Sequence, residues 1–284
     1  MTVQSGGRVG DFMHRNLEVV PPETTVIKAA ERMRGKSIGS LLIQPTDPEG
    51  RVFRRSGIVT ETDLMGKVLA KGMDASLTRV DQIMTSPLLT IMPDCPMLDA
   101  SHLMETNHVR HLCVSDEEKI VGVISVRDLV RYFVDSEGGP LRDLDNVFRP
   151  LSVLRVLMQT TMETIESERT VLEATQSMAG KRIGSLLVLD AGDIVGIVTE
   201  TDVVRKVIAA GLPASSTPVG AVMNAPLIQI DIDDTARDAS RLMAEKRIRH
   251  LAVTEDNKIV GLLSLRDLVK AVSIRDESRF LRST

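Results

Sequence analysis

Gly57-Ile58-Val59-Thr60-Glu61-Thr62-Asp63-Leu64 is the stretch that decides the fold, because the chain contains four copies of its pattern. Each copy has a glycine, two aliphatic residues, a hydroxyl residue, two variable positions and an aspartate. An internal repeat of this kind defines the structural unit of a chain. We number the repeats one to four in chain order, and the signatures of the later repeats are Gly122-Val123-Ile124-Ser125-Val126-Arg127-Asp128-Leu129, Gly196-Ile197-Val198-Thr199-Glu200-Thr201-Asp202-Val203 and Gly261-Leu262-Leu263-Ser264-Leu265-Arg266-Asp267-Leu268.

The spacing of the four aspartates shows that the repeats form two pairs. Asp63 and Asp128 are 65 residues apart (128 − 63), and Asp202 and Asp267 are also 65 apart (267 − 202). The middle gap is 74 residues (202 − 128). Repeats one and three share Thr-Glu-Thr-Asp, whereas repeats two and four share Ser-x-Arg-Asp. The sequence therefore indicates that a module of two repeats was duplicated whole.

The composition is that of a globular protein and argues against several classes of partner. The chain has 284 residues, of which 43% are apolar and 26% charged, enough for about two domains. A net charge of −4 and 2% aromatic residues do not suit a nucleic-acid-binding protein. The sequence has no charged-then-apolar leader and no apolar run of about 18 residues. Together with two cysteines, this predicts a soluble, cytoplasmic protein that does not bind membranes.

Each repeat has the pattern β-α-β-β-α over about 60 residues, which predicts an α+β fold. One face of such a small sheet cannot be buried by the unit alone. We therefore expect the repeats to pair face to face, and the equal spacing favours pairing within each half of the chain. The predicted boundaries are 9–72, 80–135, 152–213 and 219–275 for the four repeats, with a linker at 136–151.

The hydroxyl residue and the aspartate of the signature have two interpretations. At a strand-to-helix junction, Thr60 and Asp63 are spaced as a capping box, in which each side chain satisfies a backbone N–H of the other. The same groups suit ligand binding, because a helix N-terminus favours phosphate and a carboxylate can accept hydrogen bonds from two ribose hydroxyls. The residues alone leave both interpretations open.

Cationic residues accompany the signature in repeats two and four. Arg127 and Arg266 precede the aspartates, and Arg-His pairs stand at the start of the preceding strands. Arginine forms bidentate contacts with phosphate, so these residues could meet a di- or triphosphate. Solvent-exposed ion pairing is the alternative for each of them. The pairs are Arg110-His111 and Arg249-His250.

Repeats one and three carry Glu61 and Glu200 near the equivalent position, and a carboxylate repels phosphate. We therefore expect the sites around Asp128 and Asp267 to be the better phosphate sites. Basic residues before the second strand could offset this difference: Lys36, Lys181 and Arg182. A further basic segment, residues 44–56, is either a surface insertion or an arm that contacts a partner or a phosphate.

Four signatures in register, with Gly39-Ser40-Leu41-Leu42 and Gly184-Ser185-Leu186-Leu187 at matching places, resemble CBS (cystathionine-β-synthase-type) domains. The resemblance covers the chain from Val9 to Ile274. The pairs are similar to Bateman modules, and the overall plan is similar to stand-alone four-CBS proteins and to the gamma subunit of AMP-activated protein kinase. The resemblance implies two modules that stack as a disc, formed within one chain or in a homodimer.

The resemblance also implies how an adenosine ligand would be bound. It assigns ribose contacts to the signature aspartates Asp63, Asp128, Asp202 and Asp267. It assigns contacts to ribose or phosphate to the hydroxyl residues Thr60, Ser125, Thr199 and Ser264. Since the chain has few aromatic residues, aliphatic residues must line the adenine slot: Val19, Ile38, Ile58, Val109, Val123, Ile183, Ile197, Ile248 and Leu262.

The function implied is regulatory. AMP, ADP or ATP would bind in clefts between paired repeats and shift their packing, which would signal to a target protein that the sequence does not identify. The alternatives are an S-adenosylmethionine sensor and a scaffold that binds no ligand. We expect no enzyme, catalytic cofactor or metal. The sequence has no Ser-His-Asp or Cys-His arrangement, no Walker loop, no HExxH motif, no dinucleotide fingerprint and no zinc-ligand spacing.

Overall fold

The computed structural model describes residues 7–44, 56–117, 119–135 and 152–271. Most of the predicted basic segment (45–55) and the predicted linker (136–151) lie outside these ranges, and the repeat boundaries stay predictions.

Each repeat contributes one three-stranded sheet, as the sequence predicted. In every sheet the first strand is parallel to the second, and the second is antiparallel to the third. A helix joins the two parallel strands, because parallel neighbours need a crossover connection. The strands are β1 (Val19–Val20), β2 (Ser40–Ile43), β3 (Gly57–Thr60), β4 (Thr90–Ile91), β5 (His111–Asp116), β6 (Lys119–Ser125), β7 (Thr164–Glu166), β8 (Ser185–Asp190), β9 (Asp193–Thr199), β10 (Gln229–Asp231), β11 (His250–Glu255) and β12 (Lys258–Ser264).

The crossover helices bury one apolar stripe each. In the first of them, Val26, Ala29, Ala30 and Met33 are fully buried, as their spacing of three and four residues predicted. A short helical turn precedes the sheet of each repeat. The helices outside the signatures are α1 (Val9–Phe12), α2 (Val26–Lys36), α4 (Met97–Thr106), α6 (Val153–Leu157), α7 (Val171–Lys181) and α9 (Ala236–Lys246), with 3-10 turns at Val80–Gln82 and Val219–Ala221.

The helix after the signature strand differs between the repeat types. In repeat two it is an ordinary α-helix, α5 (Val126–Asp135), and in repeat four residues 265–271 are α-helical. In repeats one and three an α-helical turn runs into a π-helical stretch and then a 3-10 turn. We call these composite helices α3 (Glu61–Asp63, Leu64–Val68, Leu69–Lys71) and α8 (Glu200–Asp202, Val203–Val207, Ile208–Ala210). The sequence predicted ordinary helices there.

The chain forms two compact bodies, and each body joins one repeat from each half of the chain. The first body contains repeats two and four (Met1–Asn16, Leu89–Thr161, Ile228–Thr284), and the second contains repeats one and three (Leu17–Leu88, Met162–Leu227). Each has one apolar core to which both of its repeats contribute. The α+β class and the pairing of repeats are thus confirmed. The spacing had suggested partners within each half, whereas the shared cores join the halves, because helices of one half pack on helices of the other.

Within the part of the chain that the structure describes, no helix is sufficiently long and apolar to span a bilayer.

Candidate functional site

The signature forms a capping box at the start of α3. The Thr60 backbone N–H and hydroxyl both donate to Oδ2 of Asp63, at 2.9 and 2.6 Å, and the Asp63 N–H lies 3.4 Å from the Thr60 hydroxyl oxygen. This arrangement satisfies N–H groups that a helix start otherwise leaves without partners. The predicted capping box is therefore confirmed.

The other three signatures repeat this geometry. In every case the backbone N–H and the hydroxyl of the Ser or Thr donate to Oδ2 of the aspartate three residues later. The N–H and hydroxyl distances are 2.8 and 2.7 Å for Ser125 to Asp128, 3.0 and 2.6 Å for Thr199 to Asp202, and 2.8 and 2.6 Å for Ser264 to Asp267. One carboxylate oxygen is thus committed to the cap throughout.

The second oxygen, Oδ1, lies beside a lysine four residues later in repeats one and three and has other partners in repeats two and four. It lies 2.7 Å from Lys67 Nζ in repeat one and 3.0 Å from His14 Nε2 in repeat two. In repeat three it accepts a hydrogen bond of 2.7 Å from the Asn224 amide and lies 3.1 Å from Lys206 Nζ. In repeat four it accepts a hydrogen bond of 2.9 Å from the Gln159 amide. The four aspartates therefore share the contacts of Oδ2 and differ in the contacts of Oδ1.

Three of these partner residues belong to short segments that the sequence analysis missed. Each segment is a methionine followed by a polar residue, and each pairs through its backbone with the residue after the signature glycine. The β-α-β-β-α pattern does not include these segments, so the sequence does not indicate their pairing with the signature strands. The Met-polar segments and their strand partners are Met13-His14 with Val123, Met84-Thr85 with Ile58, Met158-Gln159 with Leu262 and Met223-Asn224 with Ile197.

The same segments explain the signature glycines. A Cβ atom on Gly196 would lie 2.8 Å from both the Asn224 carbonyl oxygen and the Met223 sulfur. The other three glycines face their own Met-polar segments in the same way. Real Cβ atoms do not approach other atoms so closely, so only glycine lets the segment reach the strand.

The charges around Asp128 favour an ionised pair with His14. Burial alone would raise the pKa of Asp128, but hydrogen bonds from His14 and Ser125 outweigh it and lower that pKa. The hydrogen bond and charge of Asp128 in turn raise the pKa of His14 above its ordinary value, although burial and the charge of Arg131 oppose this. The pair therefore carries opposite charges at mildly acidic pH.

Positive charge from both repeats of the first body collects around His250. Burial lowers the pKa of His250 to about 3, and the charges of Arg249, Arg110 and Arg266 add to this effect. Arg249 and Arg266 belong to repeat four, whereas Arg110 belongs to repeat two. Backbone hydrogen bonds from Val126 and Leu265 to the carbonyls of Arg110 and Arg249 place both arginines at the helix starts. We call these four residues the His250 cluster.

The two other predicted phosphate residues, His111 and Arg127, are the repeat-two counterparts of His250 and Arg266. His111 is opposite Ser125 in the sheet register, as His250 is opposite Ser264. Arg127 and Arg266 are both exposed on the first turn of their helices. The predicted phosphate residues of repeats two and four thus occupy equivalent positions.

The second body has a polar contact between repeats at the equivalent helix starts. Glu61 and Glu200 are 2% and 4% exposed. Thr201 donates a hydrogen bond of 2.9 Å to Glu61, and Thr62 lies 3.3 Å from Glu200 across the same contact. Arg205 Nε lies 3.7 Å from Glu61. Both glutamates therefore contact side chains of the other repeat.

Two of the three basic residues that could have offset these glutamates pair with other carboxylates. Lys36 lies 3.4 Å from Glu18, and Lys181 pairs with Glu163. Arg182 is exposed and ends α7 in a left-handed conformation.

The nine aliphatic residues predicted to line an adenine slot are all at least partly exposed. Their neighbours on the same strands, such as Val59, Ile124, Val198 and Leu263, are fully buried. Val19 is the most exposed of the nine, at 37%. These residues therefore lie at the surface of the cores, where a ligand could reach them, and not inside the cores.

In the described residues no group of three or more His, Cys, Asp or Glu side chains could hold a metal ion. Cys113 is buried, and burial raises the pKa of its thiol to about 12.

The structure is similar to solved structures of other proteins along nearly its whole length. MJ1225 from Methanocaldococcus jannaschii, proposed as an archaeal homolog of g-AMPK, superimposes with a TM-score of 0.73 over 93% of this chain and 99% of that one, at 18% identity. A conserved protein from Pyrococcus horikoshii superimposes with a TM-score of 0.60, also over 93% and 99%, at 22% identity. At these identities the likeness shows the fold alone.

Curated relatives match nearly the whole chain in sequence. Protein MJ1404 of Methanocaldococcus jannaschii is 25% identical over 280 residues, and CBSCBSPB5 of Arabidopsis thaliana, described as a CBS domain-containing protein, is 23% identical over 296. The matches cover 93% and 92% of this chain but only 62% and 53% of those proteins.

The family model for the CBS domain matches four segments, residues 9–70, 80–135, 153–209 and 219–274, each of which contains one signature. The match extends over most of the chain, and each segment contains one of the four three-stranded sheets. The chain therefore belongs to the CBS domain family and carries four copies of that domain.

Proposed function

We propose that this protein is a regulatory sensor that binds adenosine nucleotides through its first body. The observation that carries the proposal is the His250 cluster, in which Arg110 and Arg249 are held at the starts of the two capped helices by backbone hydrogen bonds and the charges of arginines from both repeats act on one histidine. Arginine guanidinium groups suit phosphate oxygens in charge and in geometry.

The remaining parts of a nucleotide also have partners in the first body. Asp128 and Asp267 would accept hydrogen bonds from ribose hydroxyls, since a carboxylate has about four acceptor positions and the cap uses one oxygen. The adenine would lie against partly exposed aliphatic residues such as Val109 and Val123. Sites of this kind are apolar with a few placed polar groups.

Repeats one and three are poorer phosphate sites in this proposal. Their equivalent helix starts carry Glu61 and Glu200 where the first body carries Val126 and Leu265. Two carboxylates at the phosphate position would repel it. Nucleosides or S-adenosylmethionine remain ligands that these repeats could accept.

The proposed mechanism is a shift between packing states. A bound polyphosphate would draw together cations of repeats two and four and so favour one arrangement of their helices. A target protein would read that arrangement. The description of MJ1225 as an archaeal homolog of g-AMPK is in keeping with a role of this type.

One observation favours a second candidate, a scaffold that binds no ligand. Both oxygens of every signature aspartate already contact protein groups, so capping alone accounts for their presence. In this case the aspartates would matter for stability and not for binding.

Equilibrium dialysis with AMP, ADP, ATP and S-adenosylmethionine separates the two candidates, and native mass spectrometry would reveal nucleotide that copurifies and the oligomeric state. We expect at least one nucleotide to bind with a Kd below ~1 mM, equivalent to about −4 kcal/mol. Arg249→Gln should weaken ATP more than adenosine, because it removes a phosphate contact. The matched control is Lys246→Gln, an exposed cation of the same body. Absence of any adenosyl ligand at millimolar concentration would favour the scaffold.

A further inference from the structure

Within the first body, the partner of the second aspartate oxygen is ionisable in one repeat and not in the other. In repeat two the partner is His14, a titratable residue, and in repeat four it is Gln159, an amide. The two residues occupy equivalent positions, because each follows the methionine of a Met-polar segment and each pairs with the strand residue after the signature glycine. The chain thus contains a natural pair of sites that differ in one ionisable contact.

We propose that protonated His14 competes with ribose hydroxyls for Oδ1 of Asp128, so that the nucleotide site of repeat two weakens as the pH falls while that of repeat four does not. This inference rests on the proposed function, and it assigns to His14 the role of a residue that sets the pH response of one site. His14 acts on Asp128 and need not touch the ligand.

The geometry supports a direct competition. His14 Nε2 lies 3.0 Å from Asp128 Oδ1, the oxygen that the capping box leaves available. Asp128 is 7% exposed, so few directions remain from which a ligand could approach that oxygen. The His14 side chain is 69% exposed, so it can move away from Asp128 without breaking a core contact.

The charges that face the His14 ring come from few groups. Asp128 and Arg131, both on α5, are the groups that act on its protonation, and Asp128 outweighs Arg131. Strand β6 meets His14 through the Val123 backbone, at 2.9 and 3.0 Å. Arg15, the residue after His14, donates a hydrogen bond to the Gly10 carbonyl. The contact between His14 and Asp128 therefore dominates.

The sign of the effect follows from linkage. The pKa of His14 is raised while it contacts Asp128 and would fall toward about 6.5 once ribose displaces it. Binding would then release a proton, so affinity should rise with pH between about 6.5 and the raised value and level off above it. Each unit of difference between the two pKa values corresponds to about a tenfold change in affinity.

The first measurement needs no ligand. The His14 imidazole is titrated by NMR in the full chain, with His14→Gln used to assign its signals. We expect a pKa above the ordinary value in the wild type and a return to about 6.5 in Asp128→Asn. An ordinary pKa in the wild type would overturn the proposal whatever the ligand does.

The second measurement compares AMP affinities at about pH 6 and about pH 8.5 by calorimetry. Asp267→Ala is the background, which removes the site of repeat four from the measurement, and the variant His14→Gln gives repeat two the amide of repeat four. Since AMP is the same in both proteins, the titration of its phosphate cancels in the ratio of affinities. We expect the His14 protein to bind several-fold more weakly than the His14→Gln protein at the lower pH and equally at the higher pH.

The reverse exchange is the matched control. Gln159→His in an Asp128→Ala background should create the same pH dependence in repeat four. A ratio that does not change with pH, although AMP binds, would reject the competition, and so would tighter binding by the His14 protein at the lower pH, because protonated His14 would then contact the phosphate. Failure of AMP to bind any variant at the higher pH would reject the proposed function instead, and the competition with it.

Discussion

Thr201 in repeat three donates a hydrogen bond of 2.9 Å to Oε2 of Glu61 in repeat one, and Glu61 is only 2% exposed. A buried carboxylate is costly to hold without donors, and hydrogen bonds to charged groups are among the stronger ones. The Thr201 hydroxyl therefore contributes to the contact between the two repeats of the second body.

Replacing Thr201 by valine should destabilise the protein by about 1.5–3 kcal/mol. Valine matches threonine in size and shape but has no hydroxyl, so the buried carboxylate loses a hydrogen-bond donor. Urea unfolding followed by circular dichroism measures the difference. Thr201→Ser keeps the hydroxyl and should cost less than about 1 kcal/mol. Equal midpoints for the two variants would show that the hydroxyl does not matter.

The signature glycines should be intolerant of alanine. Gly196→Ala places a methyl group against the Asn224 carbonyl and the Met223 sulfur, and overpacking of this kind costs about 1–3 kcal/mol. Gly180→Ala is the matched control, because this helical glycine has open space around it and alanine favours a helix by about 1 kcal/mol. The melting temperatures should move in opposite directions, and a stabilised Gly196→Ala would contradict the close approach.

Removal of Arg110 should raise the pKa of His250 part of the way from about 3 toward its ordinary value, since burial, the largest cause of the low pKa, remains and one of three positive charges is lost. The NMR titration of the His250 ring measures this change, which would show that a residue of repeat two acts on a residue of repeat four. Lys246→Gln, a change at an exposed position of the same body, should leave the titration as it is. An unchanged pKa in Arg110→Gln would mean that Arg110 does not face His250.

The two roles of the signature aspartate can be separated by comparing two capping carboxylates. Asp267→Ala should weaken AMP or ATP binding and cost about 1–2 kcal/mol of stability as a lost cap. Glu173 forms a capping box with Thr170 at the start of α7, away from any signature, so Glu173→Ala should cost similar stability and leave binding intact. If Asp267→Ala lowers stability but keeps its affinity, capping alone explains the aspartate.

The contact between His14 and Asp128 should also make stability depend on pH. The pKa of His14 is raised, so its contribution is present below about pH 6.5 and is lost as the pH rises through the raised value. The pKa of Asp128 is lowered, so its contribution is present above about pH 4 and is lost as the pH falls through the lowered value. The stability lost in His14→Gln should thus be largest between these limits.

The size of this stability difference should stay below about 1 kcal/mol, because His14 is 69% exposed and water screens the pair. Denaturant unfolding of the wild type and His14→Gln at several pH values measures it. A difference that grows above neutral pH would contradict the ionised pair.

The local features of the fold could be predicted from sequence because they depend on neighbouring residues. Thr60 and Asp63 are three positions apart, and this spacing alone predicted the capping box that the structure shows. The stripe from Val26 to Met33 predicted the buried face of α2. The π-helical stretch Leu64–Val68 was missed, because its residues suit an ordinary helix equally well.

Long-range contacts could not be predicted in the same way. Repeat two is close to repeat one in the chain but shares its core with repeat four, since helix surfaces and not chain distance decide the packing. Met84 and Met223 follow their glycines by 27 residues (84 − 57 and 223 − 196), whereas Met13 and Met158 precede theirs by 109 and 103 (122 − 13 and 261 − 158), so no single offset marks the four Met-polar segments. The candidate site was therefore predicted only for the groups inside the signature, and His14 and Gln159 were missed.

The chain positions of the Met-polar segments also determine which pieces of the chain keep all of their strand contacts. Met84-Thr85, which completes repeat one, comes after the predicted end of that repeat, and Met13-His14, which completes repeat two, comes before repeat one begins its sheet. An excised single repeat would lack one of its strand partners, whereas either half of the chain retains both. A half therefore keeps the strand contacts of both of its repeats, although each repeat shares its apolar core with a repeat of the other half.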